Sequence, residues 1–195
     1  MVALMKHDNH IAPPQKNNEW YTPARYIEAA RLVMGGIDLD PASSDVANQT
    51  VKAARYYTKE DNGLAQVWYG RIWLNPPYGR TGNESNIGTF TRRLVAEYRA
   101  GNVEQAILLS TTKTDTRWFG LLWDYPICFN DHLIFFVGNT PSPRYNKKYC
   151  HIHGTIFVYF GKNEHKFIDT FSQFGTIAKR VSPPKLASTT LWEVR

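Results

Sequence analysis

The sequence contains no long apolar run and only two cysteines. No stretch reaches the roughly 18 consecutive apolar residues of a membrane-spanning helix, so we expect no such helix. The first twenty residues lack the charged start, apolar centre and small-residue cleavage site of a secretory signal. Cys128 and Cys150 do not form a C-x-x-C pair, so we expect free thiols in a reducing cytoplasm and no metal site.

The chain also lacks internal repeats and an excess of acidic residues. Its 195 residues, 43% of them hydrophobic, suffice for one globular domain. We place that domain at residues 19–195, behind a polar, flexible arm at residues 1–18. The net charge of +6 and the pI of about 9.3 predict a polyanionic partner, of which nucleic acid is the commonest.

Hydrophobic periodicity predicts strands that alternate with helices through the first two thirds of the chain. The predicted helices cover residues 23–34, a stretch from Asp45, and residues 87–100, 115–124 and 165–174. The predicted strands cover residues 37–40, 54–57, 71–74, 104–112, 131–138, 154–161 and 175–181. Thr22 is expected to cap the first helix, with Pro23 as its first residue, and Asp115 is expected to cap the fourth. The alternation predicts a single-domain, Rossmann-like α/β fold with a mostly parallel twisted sheet and an antiparallel edge hairpin.

Two short motifs directly follow predicted strands. "DLDPAS" ends the strand at residues 37–40, and "NPPYG" follows the strand at residues 71–74. Ligands of open α/β sheets bind just beyond the carboxyl ends of the strands. The two motifs therefore predict a ligand site at that edge of the sheet.

The motif "NPPYG" combines an amide, two rigid prolines and an aromatic ring. Pro76 and Pro77 restrict the backbone and push Asn75 toward an extended conformation. The Asn75 side-chain oxygen and the Pro76 carbonyl are both acceptors, and together they can hold an exocyclic amine whose lone pair stays free to attack an electrophile. Tyr78 can lie against the ring that carries the amine. From local chemistry alone, a proline-stiffened loop with Tyr78 in the core is an equal alternative.

The same motif resembles the catalytic (D/N/S)PP(Y/F) motif of S-adenosylmethionine-dependent amino methyltransferases. Asn at its first position is typical of enzymes that methylate adenine N6, and of some that methylate protein glutamine. Further motifs occur in order: "EWYTP" at 19–23, "IDLDPAS" at 37–43, "YYTKEDNGL" at 56–64, "WYGRIWLNPPYG" at 68–79 and "LLSTTKTDTRWF" at 108–119. Over residues 19–179 the chain resembles the phage-type DNA N-6-adenine methyltransferase (Dam) family.

The resemblance implies S-adenosylmethionine as the methyl donor and S-adenosylhomocysteine as the product. It implies that the catalytic residues are Asn75, Pro76, Pro77 and Tyr78. It implies that the cofactor-binding residues are Tyr21, Thr22, Pro23, Asp38, Asp40, Pro41, Ala42, Asp61 and Leu64. Of these, Asp40 is expected nearest the cofactor, and Asp61 is expected to accept a hydrogen bond from the cofactor adenine. A plain helix start at Thr22 and a solvated acidic turn at Asp61 are the alternatives.

The resemblance also implies that the partner is double-stranded DNA, whose target adenine must be flipped out of the stack to reach the site. Arg80, Arg144, Lys147 and Lys148 are the candidates for DNA contact, the last three in an inserted loop near residues 138–153. The resemblance further implies a phage or prophage gene whose product acts in the bacterial cytoplasm. The recognition sequence and the oligomeric state are left open, with a monomer favoured.

Two other functions stay open on the sequence. One is methyl transfer to RNA or to protein glutamine through the same NPPY chemistry. The other is a DNA-binding protein that keeps the fold without turnover. The second is favoured by Ala42-Ser43-Ser44, which stands where the wider methyltransferase group has Gly-x-Gly. The presence of Asp40, Asn75 and Tyr78 argues against it.

Overall fold

A computed structural model describes residues 20–136, 149–150 and 154–181. Its α-helices are α1 (Ala24–Met34), α2 (Asp45–Val51), α3 (Asn86–Arg99) and α4 (Glu164–Phe171). Its strands are β1 (Leu39–Asp40), β2 (Arg55–Tyr56), β3 (Gly70–Leu74), β4 (Arg80–Thr81), β5 (Glu84–Ser85), β6 (Val103–Thr111), β7 (Ile127–Asn130), β8 (Phe135–Phe136), β9 (Tyr149–Cys150), β10 (Thr155–Phe160) and β11 (Gly175–Ala178). Every helix in these ranges is too short or too polar to cross a lipid bilayer.

Seven strands form one sheet in the order β11-β7-β10-β6-β3-β1-β2. Strands β2, β1, β3 and β6 are parallel to one another. Strand β10 is antiparallel to both β6 and β7, so β7 points the same way as β6, and β11 forms an antiparallel edge on β7. Strands β4 and β5 form a separate hairpin, as do β8 and β9. The predicted Rossmann-like α/β fold is therefore confirmed.

Successive side chains of the strands point to opposite faces of the sheet, and they belong to two hydrophobic clusters, one on each face. On β3, Trp73 belongs to one cluster, while Ile72 and Leu74 belong to the other. The first cluster includes buried residues of α1 and α4, and the second includes buried residues of α3. Helices on both faces bury the central strands, and only the ends of those strands remain to carry polar function.

The first helix begins one residue later than predicted, because Pro23 and not Thr22 occupies the N-cap position. No side chain caps this end, and the Tyr26 amide bonds the Pro23 carbonyl instead at 3.1 Å. Thr22 is buried, and its hydroxyl oxygen accepts a hydrogen bond from the side chain of Asn75. The helix ends as expected at Gly35, which is left-handed with φ of 80°.

The helix predicted at residues 115–124 is replaced by turns and a short 3₁₀ helix, Phe119–Leu122. Asp115 is exposed and does not cap this helix, whose N-cap is Trp118. The prediction of a capped helix was therefore wrong here. Phe119 and Leu122 are both fully buried, and their spacing of three residues matches one turn of a 3₁₀ helix.

The antiparallel part of the sheet differs in detail from the predicted one. The strand predicted at 131–138 appears as β8, two residues that pair with β9 and not with β10. Strand β7 was not predicted, because "ICFN" offers only three apolar residues after Pro126. In the structure β7 is the strand that joins β10 to β11.

Candidate active site

The carboxyl ends of β1 and β3 lie side by side, because Leu39 of β1 is paired with Ile72 of β3. Asp40 ends the first strand, and Asn75 follows the second. The segment that precedes α1 contacts Asn75, because the Trp20 carbonyl accepts a hydrogen bond from the Asn75 side chain. Together these segments border a cavity of about 660 Å³. Its volume is in the range of ordinary small-molecule sites.

The structure brings ten of the thirteen predicted cofactor and catalytic residues to this cavity. They are Tyr21, Thr22, Asp40, Pro41, Ala42, Leu64, Asn75, Pro76, Pro77 and Tyr78. The three that it does not bring there are Pro23, Asp38 and Asp61. Among the described residues, those that line the cavity fall between positions 20 and 90.

Asp40 is a buried carboxylic acid in the cavity wall, with 2% of its surface exposed. Burial raises its pKa from 3.8 to about 7, although the Ala42 amide donates a hydrogen bond to its Oδ1 at 3.1 Å. At neutral pH this group is therefore poised between its neutral and ionised forms. A cationic or hydroxyl-bearing ligand in the cavity would favour the ionised form.

The segment Ala42-Ser43-Ser44 connects β1 to α2 and lines the cavity. The Ser43 amide bonds the Tyr57 carbonyl at 2.9 Å, and the Ser44 hydroxyl caps α2 by accepting from the Ala47 amide at 3.2 Å. Ser44, Ala47 and Val51 line the cavity, so one face of α2 forms part of its wall. The missing Gly-x-Gly has therefore not removed the turn from the cavity wall.

Gly63 brings residues 56–64 against the segment that follows β1. A Cβ atom at this position would lie 1.9 Å from the Pro41 carbonyl oxygen. The Gly63 carbonyl accepts a 2.7 Å hydrogen bond from the buried indole of Trp68. Only a glycine permits this approach, which places Gly63 and Leu64 in the cavity wall.

Asp61, two residues earlier, is exposed and is held by its own turn. Its Oδ2 accepts hydrogen bonds from the Thr58 amide and the Thr58 hydroxyl, both at 2.8 Å. These bonds lower the pKa of Asp61. Its neighbours Lys59, Asn62 and Gly63 line the cavity, but Asp61 does not. Its position agrees with the alternative of a solvated acidic turn.

Asp38 lies directly before β1, and its side chain binds Arg71 of the neighbouring strand β3. Its carboxylate binds the Arg71 guanidinium through Oδ1 at 2.7 Å and Oδ2 at 2.8 Å, and it accepts from the Arg71 amide at 2.8 Å. These contacts lower the pKa of Asp38. Gly70 and Gly36 leave room for the pair, because a Cβ atom at either position would lie within 2.9 Å of it. The pair ties β1 to β3 away from the cavity.

Asn75 has an amide whose two ends face different surroundings. Its Nδ2 donates to the Trp20 carbonyl at 2.9 Å and to the Thr22 hydroxyl at 3.4 Å. Its Oδ1 is buried and has no hydrogen-bond partner among the described residues. Because a carbonyl can only accept, the Trp20 oxygen determines which end of the amide is the nitrogen. The free acceptor on Asn75 therefore follows from the geometry of the backbone.

Tyr78 packs beside Trp20 at the same cavity. The ring centroids are 6.1 Å apart and the planes meet at 71°. Trp20 in turn packs on Phe136, with centroids 5.7 Å apart and an angle of 75°. Burial raises the pKa of the Tyr78 hydroxyl, so Tyr78 is neutral at any physiological pH. Its ring supplies an aromatic surface to the cavity.

The residues expected to contact DNA are only partly described. Arg80 is exposed on the β4–β5 hairpin, and its guanidinium donates to the Asn83 carbonyl. Arg144, Lys147 and Lys148 lie outside the described residues. Arg93 of α3 is held by Glu97 at 2.7 Å and by the Leu64 and Gln66 carbonyls. It therefore supports the wall at Leu64.

Sequence reasoning missed several lining residues, above all Trp20 and Gly63. Trp20 belongs to the "EWYTP" motif, but its position in that motif gave no reason to prefer it over Tyr21. Gly63 follows Asn62 in "EDNGL", where an Asn-Gly pair predicts only a turn. In both cases the contact that matters crosses the fold, to Asn75 for one and to Pro41 for the other.

A Rossmann-like sheet that carries an Asn-Pro-Pro-Tyr motif at the end of a central strand defines the class of amino methyltransferases. The family model described as DNA N-6-adenine-methyltransferase (Dam) matches residues 10–153, about three quarters of the chain. The chain belongs to this family of DNA adenine methyltransferases. Comparison with curated proteins gives no match.

Proposed function

We propose that this protein transfers a methyl group from S-adenosylmethionine to N6 of an adenine in double-stranded DNA. Membership of the family supports the DNA substrate and the adenine product. The observation that carries the roles of the residues is the buried Oδ1 of Asn75, which has no partner among the described residues. An unpaired buried acceptor costs about 1–3 kcal/mol, and a ligand that donates to it recovers that free energy.

Asn75 and Pro76 are assigned to the adenine amine. The amine has two hydrogens, and the Asn75 Oδ1 and the Pro76 carbonyl are two acceptors from adjacent residues. Two such hydrogen bonds draw the amine away from the plane of the ring, which leaves the nitrogen lone pair available. Pro76 and Pro77 fix the backbone that presents these acceptors. The main effect of the motif is thus orientation of the attacking nitrogen.

The cofactor is assigned to the wall formed by the residues around Asp40, Leu64 and Thr22. The cavity combines this buried carboxyl group with apolar surface from Leu64, Ala47 and Val51, which suits a ligand with polar and apolar parts. Asp40 would hold a cofactor ammonium or its ribose hydroxyls. S-adenosylmethionine, when bound, supplies an electrophilic methyl group and leaves as S-adenosylhomocysteine.

No separate general base is assigned. The adenine nitrogen becomes acidic once it has gained a fourth bond, so its proton can pass to the Asn75 amide oxygen or to water. Fixed dipoles around the nitrogen stabilise the developing charge without reorganisation. Asp40 stays on the cofactor side and takes no part in this proton transfer.

Tyr78 is assigned to the face of the adenine. An adenine inside a duplex cannot reach the cavity, so the base has to leave the stack. The unstacked base loses contacts worth a few kcal/mol, and an aromatic ring at the cavity replaces part of them. Trp20 and Tyr78 form two nearly perpendicular walls, so the base can lie flat against only one of them.

The test is a methylation assay with labelled product analysis. The protein is incubated with methyl-labelled S-adenosylmethionine and unmethylated duplex DNA, which is then digested to nucleosides. We expect label in N6-methyl-2′-deoxyadenosine with the wild type. We expect none with the Asn75→Ala variant. The Asn75→Ala variant should still bind S-adenosylhomocysteine in calorimetry, since Asn75 acts on the acceptor.

Each other outcome contradicts the proposal in a defined way. Label in RNA or in protein glutamine, but not in DNA, would assign the NPPY motif to a different acceptor. Binding of cofactor and DNA without any transfer would assign the chain to a DNA-binding role. Full activity of Asn75→Ala would show that the amine is held elsewhere.

A further inference from the structure

Trp20 contacts the catalytic motif at both of its ends. Its backbone carbonyl accepts the 2.9 Å hydrogen bond from Asn75 Nδ2, the first residue of the motif. Its indole ring packs edge-on against Tyr78, the last residue. One residue from a distant part of the chain therefore touches the group assigned to the amine and the group assigned to the base.

The ring of Trp20 anchors its backbone. The indole lies against Tyr78 on one side and Phe136 on the other, both at steep angles of 71° and 75°. Edge-to-face contacts of this kind are favourable and depend on orientation. Phe136 is fully buried in the first hydrophobic cluster, so it provides a fixed support. The position of the Trp20 carbonyl thus follows from the packing of its own ring.

Thr22 adds a second acceptor for the same amide nitrogen. Its hydroxyl oxygen lies 3.4 Å from Asn75 Nδ2, and the residue is 7% exposed. Two acceptors, Trp20 O at 2.9 Å and Thr22 Oγ1 at 3.4 Å, thus face the amide nitrogen and neither requires the oxygen at that end. An amide rotated by 180° would place Oδ1 against the Trp20 carbonyl and lose the hydrogen bond to it.

We propose that Trp20 is a positioning residue that, with Thr22, locks the Asn75 amide so that its oxygen is the group offered to the substrate amine. Trp20 acts through Asn75 and Tyr78 and makes no bond to the reacting atoms. The role in catalysis rests on the proposed function, whereas the lock on the amide is a property of the protein alone. The two are therefore tested by separate measurements.

The lock is tested without substrate by NMR of the Asn75 side chain. In ¹⁵N-labelled protein, the Nδ2 proton pair is assigned as the pair that disappears in Asn75→Ala. We expect these protons to exchange slowly in the wild type and in Thr22→Ser, which keeps the hydroxyl. We expect exchange at least about tenfold faster in Trp20→Ala, because the hydrogen bond to the Trp20 carbonyl loosens. Unchanged exchange in Trp20→Ala would overturn the proposal.

The catalytic consequence is tested by kinetics at saturating cofactor. Trp20→Ala should lower kcat about 10- to 100-fold while the Kd for S-adenosylhomocysteine changes less than about threefold. Trp20→Phe keeps an aromatic ring between the same neighbours and should recover most of kcat. Thr22→Val, which removes only the hydroxyl, should lower kcat about three- to tenfold, and Thr22→Ser should restore it.

Trp123→Ala is the matched control for general loosening of the fold. Trp123 is also half-buried, with Phe119 and Phe129 as its aromatic neighbours, but it does not line the cavity. It should lower the melting temperature and leave kcat unchanged. A loss in Trp20→Ala that appears only in the cofactor Kd, or equally in Trp123→Ala, would overturn the positioning role. Absence of methylation by the wild type would instead contradict the proposed function and leave the NMR result standing.

Discussion

The Gly63 Cα approaches the Pro41 carbonyl so closely that an added Cβ atom would lie 1.9 Å from the oxygen. Both partners are backbone, so neither can turn aside as a flexible side chain would. Pro41 follows β1, and Gly63 opens the short 3₁₀ helix Gly63–Ala65. The contact therefore fixes how closely these two segments approach each other in the cavity wall.

Gly63→Ala is expected to destabilise the fold and weaken cofactor binding together. Overpacking of this kind costs about 1–3 kcal/mol, which corresponds to roughly 2–10 °C in melting temperature for a chain of this size. Gly120→Ala is the control, because no atom lies within 4 Å of a Cβ built there. Thermal unfolding and calorimetry with S-adenosylhomocysteine measure the two effects. If Gly63→Ala behaves like Gly120→Ala in both measurements, Gly63 and the Pro41 carbonyl do not approach each other as closely as described.

Asp40→Asn should flatten the pH dependence of stability in the free protein. The pKa of Asp40 is raised to about 7 in the folded state, so folding retains a proton that the unfolded chain releases above pH 4. Wild-type stability should therefore fall as pH rises from about 4 to 7, by at most about 4 kcal/mol. The amide that replaces the carboxyl group in the variant does not titrate. Urea unfolding at several pH values tests this, and equal slopes for both proteins would contradict the buried carboxyl group.

Asp40 also predicts a pH dependence of cofactor affinity. The ionised carboxylate is the better partner for an ammonium or hydroxyl group, and it is formed as pH rises through about 7. The wild-type Kd for S-adenosylhomocysteine should decrease between pH 6 and pH 8. The Asp40→Asn variant should bind more weakly and show no such decrease. A wild-type Kd that is constant over this range would place Asp40 away from the cofactor.

Asp38→Asn should affect stability with the opposite pH dependence and leave cofactor binding alone. The Arg71 hydrogen bonds lower the pKa of Asp38, so its contribution is present above the unfolded pKa of about 4 and is lost as pH falls below it. Since the pair is partly exposed, we expect a loss of about 1 kcal/mol at pH 7. Glu84→Gln, which removes the exposed Arg92 pair, is the control and should change stability by less than about 0.5 kcal/mol. A weaker cofactor Kd in Asp38→Asn would return Asp38 to the binding site.

Lys147→Ala with Lys148→Ala tests the inserted loop, for which the sequence alone makes the prediction. Loss of two phosphate contacts should weaken DNA binding and reduce the slope of log K against log salt by roughly 2. Fluorescence anisotropy between about 50 and 200 mM salt measures both quantities. An unaltered slope would remove these lysines from the DNA interface. The same double variant should also be assayed for methylation of a short duplex at low salt. We expect this activity to fall less than DNA binding at high salt does.

The sequence predicted those parts of the fold and site that depend on short-range patterns. The NPPY motif is local, and its four residues all line the cavity. The ends of α1 and α3 were predicted to within about one residue, and the parallel sheet followed from the alternation of elements. Asp40 was expected nearer the cofactor than Asp38, because Asp40 is the residue that leads directly into the turn after the strand.

What could not be predicted depends on contacts between distant residues. Nothing local shows that Asp38 meets Arg71, or that the Thr22 hydroxyl faces Asn75 and not a helix terminus. The absence of Asp61 from the cavity lining goes with the hydrogen bonds by which Thr58 holds its side chain. Strand β7 is recognisable only from the neighbours that it joins, since β10 and β11 supply its hydrogen bonds.

Within the part of the chain that the structure describes, the cavity draws its lining from residues 20–90, whereas four of the seven strands of the main sheet come later in the chain. Those later strands influence the cavity through the packing of the core and not by direct contact. Within the described residues, the segment that lines the cavity is thus separate along the chain from the strands that complete the sheet.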